Sequence, residues 1–119
     1  METYEINAFG RKITVRLEAL RYAKLPHCDD PLAIRVIEVH PGGEEEPYGT
    51  LTLNLDPWTG RSFQSEKRAF VKIYSENEGW AEELLRLLEG KGAAHNTGLY
   101  IENERGVRYP LYEFDPEKI

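Results

Sequence analysis

Apolar side chains recur along this chain mostly in steps of two. Tyr4, Ile6 and Ala8 alternate with polar neighbours, Gly10-Arg11 turns the chain, and Ile13, Val15, Leu17 and Ala19 resume the step with Thr14, Arg16 and Glu18 opposite. Strict alternation marks a strand with one buried face, so this segment predicts a hairpin. Residues 24–31 carry two prolines and adjacent aspartates and predict a loop. Residues 32–39 are rich in β-branched side chains with apolar positions on both faces, the pattern of a central strand covered on both sides. After the turn-forming residues 41–47, residues 48–55 alternate cleanly, with Leu51, Leu53 and Leu55 inward and Thr50, Thr52 and Asn54 outward. A turn over 56–60, a polar stretch over 61–67 and a further strand over 69–74 follow.

The period then changes. Trp80, Leu84, Leu87 and Leu88 stand at i, i+4, i+7 and i+8, which is one face of a helix. Ala81 and Leu85 widen that face, while Glu82, Glu83, Arg86 and Glu89 turn to water. Ser75-Glu76-Asn77-Glu78 has the form of a capping box, and Gly90 and Gly92 supply a stop. Leu99-Tyr100-Ile101 and Val107-Arg108-Tyr109 flank a turn at Asn103-Glu104-Arg105-Gly106, with Leu111, Tyr112 and Phe114 extending the second strand. One amphipathic helix cannot bury its apolar face alone and must lie on the sheet. The expected fold is therefore α+β, an antiparallel twisted sheet of about five to seven strands with one helix packed on a face.

Composition supports a folded chain. The 119 residues, 40% hydrophobic and including seven Tyr and two Trp, suffice for one core and predict a single domain over 1–119. No apolar run reaches the ~20 residues of a spanning helix, and residues 1–5 lack the basic start and apolar stretch of a secretory signal. With one cysteine, Cys28, no internal disulfide forms, so a cytoplasmic location is expected. The net charge of −6 is uneven: residues 1–43 hold six basic and six acidic side chains, and residues 44–119 nine and fifteen. An acidic surface repels phosphate backbones and suits a basic protein partner.

Candidate chemistry is sparse. His27-Cys28-Asp29-Asp30 is the most suggestive cluster, but adjacent ligands rarely converge on one ion and no second cysteine completes a zinc spacing. A nucleophilic Cys needs a base placed in space, and neither His40 nor His95 stands in a known motif. The run Glu44-Glu45-Glu46 reads as a solvated turn. No catalytic residue, metal or cofactor is expected, and the chain does not read as an enzyme. One basic stretch, Lys67, Arg68 and Lys72 interleaved with Phe70 and Tyr74, is the nucleic-acid candidate, since Phe70, Lys72 and Tyr74 share a strand face like that of base-stacking sheets. The opposite candidate is an acidic surface of Glu78, Glu82, Glu83, Glu102 and Glu104, which would occupy a basic groove on another protein.

Three stretches carry a resemblance. Tyr48-Gly49-Thr50-Leu51-Thr52-Leu53-Asn54-Leu55, Trp80-Ala81-Glu82-Glu83-Leu84-Leu85 and Tyr109-Pro110-Leu111-Tyr112-Glu113-Phe114-Asp115 occur in the order found in a family of small bacterial proteins of unknown function, with Y-x-T-L-T-x-N-L and Y-P-L-Y-x-F motifs. Leu32-Ala33-Ile34 is also similar to the family's second region, whereas the segment from Trp58 to Arg68 finds no counterpart. The resemblance implies an origin on conjugative or phage-like elements and carries over no catalytic residue. The expected function is that of a non-catalytic accessory protein of a bacterial mobile element, binding a host or element-encoded protein, with counter-defence inhibition as one version. The alternative is a nucleic-acid-binding module built on residues 61–74. No membrane contact is expected.

Overall fold

The computed structural model describes residues 2–22, 25–28, 30–72 and 79–119. The alternating N-terminal segments form strands β1 (Tyr4–Ala8) and β2 (Arg11–Arg21), paired antiparallel with Tyr4 opposite Val15 and Ala8 opposite Arg11. Their two-residue turn is Phe9-Gly10, with φ of 52° and 76°. Positive φ at both central residues matches the right-handed twist of the flanking strands, and only Gly10 takes it without a Cβ penalty. Strands β3 (Leu32–Val39) and β4 (Glu45–Thr50) complete a four-stranded sheet in the order β1-β2-β3-β4. On its outer face Arg16 grips Glu45 through two hydrogen bonds of 2.7 and 2.8 Å, and Arg35 reaches Glu18 at 2.7 Å. The guanidinium of Arg16 holds the Glu45 carboxyl below its ordinary range.

A second sheet, not one continuous sheet, receives the rest of the chain. It comprises β5 (Thr52–Leu53), β6 (Arg68–Val71), β7 (Ala94–Glu102) and β8 (Arg108–Phe114) in the order β5-β6-β8-β7. The eight strands of the described residues exceed the expected five to seven, and the expected strand over 48–55 is split between the sheets. Tyr48 bulges, with Val36 opposite Gly49 and Ile37 opposite Pro47. Leu51 then donates its N–H to Ile34 O at 2.9 Å, while Thr52 pairs with Val71 in the other sheet. At this crossing the Thr52 hydroxyl takes the place of a backbone acceptor, receiving the Ile34 N–H at 3.1 Å and lying 2.9 Å from the Tyr22 hydroxyl. Thr52, expected to face outward, is thus 2% exposed, whereas Leu53 and Leu55 are only half-buried. Burial pushes the Tyr22 phenol up.

Two short helices complete the fold of the described residues. The expected turn at 56–60 is a single helical turn, α1 (Asp56–Thr59), with Pro57 in its first turn and Gly60 closing it at φ 66°. Helix α2 (Trp80–Gly90) lies where the 3.6 period placed it, and Gly79 precedes it at φ 78°. The expected capping box, residues 75–78, lies outside the described residues. Trp80, Ala81, Leu84, Leu85 and Leu88 are buried, but Leu87 is exposed. The helix contacts β1 of one sheet and β7 of the other, so it bridges the two sheets instead of crossing the face of one. Their shared core includes Ile6, Val15, Ile34 and Val36 from the first sheet, Val71 and Phe114 from the second, and Leu84 and Leu88 from the helix. Tyr48 closes one end edge-to-face on Trp80, with ring centroids 5.6 Å apart. No helix among the described residues is long and apolar enough to cross a membrane.

The crossing at Thr52 is directly testable. Thr52→Val keeps the shape and leaves the Ile34 N–H buried without an acceptor, which costs about 1–3 kcal/mol. Urea unfolding should show that loss as a lower midpoint with unchanged slope, and Thr52→Ser should recover most of it.

Candidate functional site

The acidic residues expected to meet a partner are largely engaged within the protein. Glu82 pairs with Arg86 at 2.7 Å, the i, i+4 arrangement of an exposed helix. Glu83, expected to face water, is half-buried and accepts the Asn7 backbone N–H at 3.0 Å, tying α2 to β1. Glu102 sits 3.8 Å from Arg108, whose guanidinium lies 4.6 Å from the Tyr100 ring centroid. Glu104 is exposed in the β7–β8 turn, and Glu78 lies outside the described residues. Glu82, Arg105 and Arg108 line one hollow of about 610 Å³. Basic groups thus interrupt the acidic line.

Among the described residues, the basic and aromatic segment presents no open ring for stacking. Lys67 and Arg68 are exposed, but Arg68 is drawn to Glu113, its cross-strand partner, at 3.2 Å. Phe70 is 1% exposed and packs edge-to-face on Phe63. Its apolar ring is worth more in the core than open to water, so it is not available for stacking on a base. Lys72 is half-buried, and Tyr74 lies outside the described residues.

His27 leaves its sequence neighbours and meets a distant carboxylate. Its Nε2 stands 2.9 Å from Oδ2 of Asp56, a buried side chain. Asp56 also accepts the Gln64 N–H at 2.8 Å and the Phe63 N–H at 3.2 Å. Gln64 reciprocates, its Oε1 accepting the N–H groups of Leu55 and Asp56 at 2.7 and 2.8 Å. The reciprocal clasp closes the loop after α1, and His27 fastens the 25–28 segment to it. These residues border a hollow of about 360 Å³ with Arg61 and Ser62. Cys28 is half-buried, with its backbone paired to Leu25, while Asp30 is exposed and Asp29 lies outside the described residues. Every oxygen of the Asp56 carboxylate is occupied by a structural donor, so its first role is to hold this loop.

The clasp presents the most exposed large apolar side chain of the described residues. Trp58, on α1, is 88% exposed. It stands at a mostly apolar groove of about 520 Å³ lined by Leu53, Leu55, Ile101 and Tyr109, with Lys72 and Glu102 among its polar lining. Leu99 and Tyr100 are also about half exposed on β7, the neighbouring edge strand. The edge itself is blunted at its centre by a bulge between Asn96 and Tyr100. There the Gly98 N–H goes to Asn96 Oδ1 at 2.9 Å and the Leu99 N–H to Thr97 Oγ1 at 3.2 Å. Local side chains thus satisfy donors that an added strand would need. No family model, curated protein or solved structure matches the chain.

Two outcomes follow from these contacts. Asp56→Ala leaves two backbone donors and an imidazole without their acceptor and should cost about 3 kcal/mol or more. His27→Ala, losing one partly exposed contact, should cost about 1 kcal/mol by the same denaturation measurement. Separately, burial and the neighbouring Glu89 carboxylate push the Tyr112 phenol up to about 12. The unfolded phenol titrates near 10, so folding favours the neutral form. Its contribution to stability is complete below pH 10 and is lost as pH rises toward 12. Alkaline unfolding of Tyr112→Phe should lack that component.

Proposed function

We propose that this is a non-catalytic accessory protein that acts by binding another protein, and that its partner docks in the groove beside Trp58. The observation that carries the reading is the exposure of Trp58 at the rim of an apolar groove. An indole left in water forgoes on the order of 1.5–3 kcal/mol of burial, and tryptophan is enriched among residues that dominate binding energy. The Asp56–Gln64 clasp fixes the turn beneath it, which limits the ordering cost of docking. Because the β7 edge is blunted, the partner fits as an apolar anchor entering the groove and not as an added strand. The groove itself holds one charge of each sign, Lys72 and Glu102, while exposed Glu104 in the adjoining turn and the net charge of −6 favour basic side chains around that anchor. On the motif resemblance alone, we propose that this activity serves a bacterial mobile element, with counter-defence inhibition as one version.

A photo-crosslinking residue placed at position 58 in cells should give one discrete adduct. The same residue at exposed Lys12, on the other sheet, should give none. The partner identified from the adduct is then purified. Trp58→Ala should weaken its binding about thirtyfold, equivalent to about 2 kcal/mol. Equal labelling from both positions, or unchanged affinity of the Trp58→Ala protein, would overturn the assignment.

A further inference from the structure

The geometry points to a binding site for a divalent transition-metal cation at the open end of the first sheet, formed by Glu38, His40 and Glu46. Leu32, Ile34 and Val36 occupy alternate positions of β3 and belong to the core. The same step of two carries Glu38 and His40 onto that face, beyond the apolar rows. Glu46 is the direct cross-strand partner of Glu38. Two carboxylates facing each other across an antiparallel pair repel, and here the His40 imidazole reaches both.

Glu38 is the buried member of the group, and two long ion pairs are what its carboxylate has. It is 5% exposed, yet no hydrogen bond from the described residues reaches its carboxylate. The nearest cationic nitrogens, His40 Nδ1 at 3.6 Å and Arg11 at 3.7 Å, both lie beyond hydrogen-bond reach. Glu38 is thus held by ion pairs without a direct hydrogen bond, contacts that a bound metal ion would replace. On the other side of the imidazole, Nε2 stands 2.8 Å from Glu46. The β3–β4 turn holds the His40 backbone in place, with its N–H on Glu44 O and its carbonyl accepting from Gly43, both at 2.8 Å. One donor atom from each of Glu38, His40 and Glu46 already lies within 4.8 Å of the others.

The donor set selects the ion. An imidazole with two carboxylates suits Zn²⁺ or a similar transition cation, whereas Mg²⁺ demands oxygen ligands in a near-octahedral shell. Three protein donors leave a further coordination position open to water or a small anion. Coordination requires donors to close to about 2.0–2.2 Å from the metal. Glu46 and His40 retain freedom for that movement, with side-chain exposures of 60% and 35%. Arg11, 65% exposed, swings away as the metal charge replaces its own.

Titration of chelator-stripped protein with Zn²⁺ alone should show one ion per chain. It should also raise Tm by roughly 5 °C or more at a hundredfold excess over Kd. His40→Ala and Glu46→Gln should each weaken binding at least tenfold, and His95→Ala, a change at an exposed position on β7, should leave it unaltered. Glu38→Gln removes the buried charge, so it should stay folded by circular dichroism while losing the ion. Absence of Zn²⁺ binding at about 100 µM, a Kd weaker than ordinary metal sites show, would overturn the assignment. So would binding that survives His40→Ala, or Mg²⁺ binding as tightly as Zn²⁺.

Discussion

The N–H of Ile34 and the hydroxyl of Thr52 meet where the two sheets join, and the architecture turns on that contact. Strand β3 needs acceptors and donors along its outer edge, which β4 satisfies only from Arg35 to Val39. Beyond that point the chain departs to begin the second sheet, and three contacts replace the missing strand. Leu51 N–H reaches Ile34 O, Thr52 Oγ1 receives Ile34 N–H, and Leu32 N–H reaches Ser65 O. Buried backbone groups must find partners, so a change of sheet in mid-core is tolerable only with such substitutes. Helix α2 then spans the gap between the sheets, and one body of apolar side chains fills the space.

How far the sequence disclosed this depends on the range of the interactions. Strict alternation identified β1 and β2, and the 3.6 period placed α2, because each pattern reports a local repeat. The same alternation over 48–55 concealed the break, since a bulge at Tyr48 and a change of sheet at Thr52 alter pairing without disturbing the polar–apolar order. Thr52 consequently read as a solvent-facing residue. Phe70 beside lysines and arginines resembled a nucleic-acid face, but the covering ring of Phe63 comes from a stretch with no readable period. The union of His27 with Asp56 had no local signal. For Glu38 and His40 the signal was present, two polar residues continuing a buried row, and the glutamates at 44–46 drew attention to the turn instead.

These structural demands also separate the working surfaces. On α2, Glu82 is occupied by Arg86 and Glu83 by the Asn7 amide, which leaves little of the expected acidic surface there. The second sheet instead combines a fixed turn, an open indole and a blunted edge, a combination that suits the proposed anchor and discourages strand-to-strand association. The carboxylate–imidazole group belongs to the first sheet, so the proposed metal binding and the proposed docking at Trp58 would use different parts of the protein.

Amide hydrogen exchange resolved by NMR tests the seam most directly. If the sheets are joined as described, the Ile34 and Leu51 amides exchange only through global unfolding, with free energies equal to that from denaturation. Exchange of Ile34 at the rate of an open loop, while the β1–β2 amides remain protected, would contradict a shared core closed by Thr52.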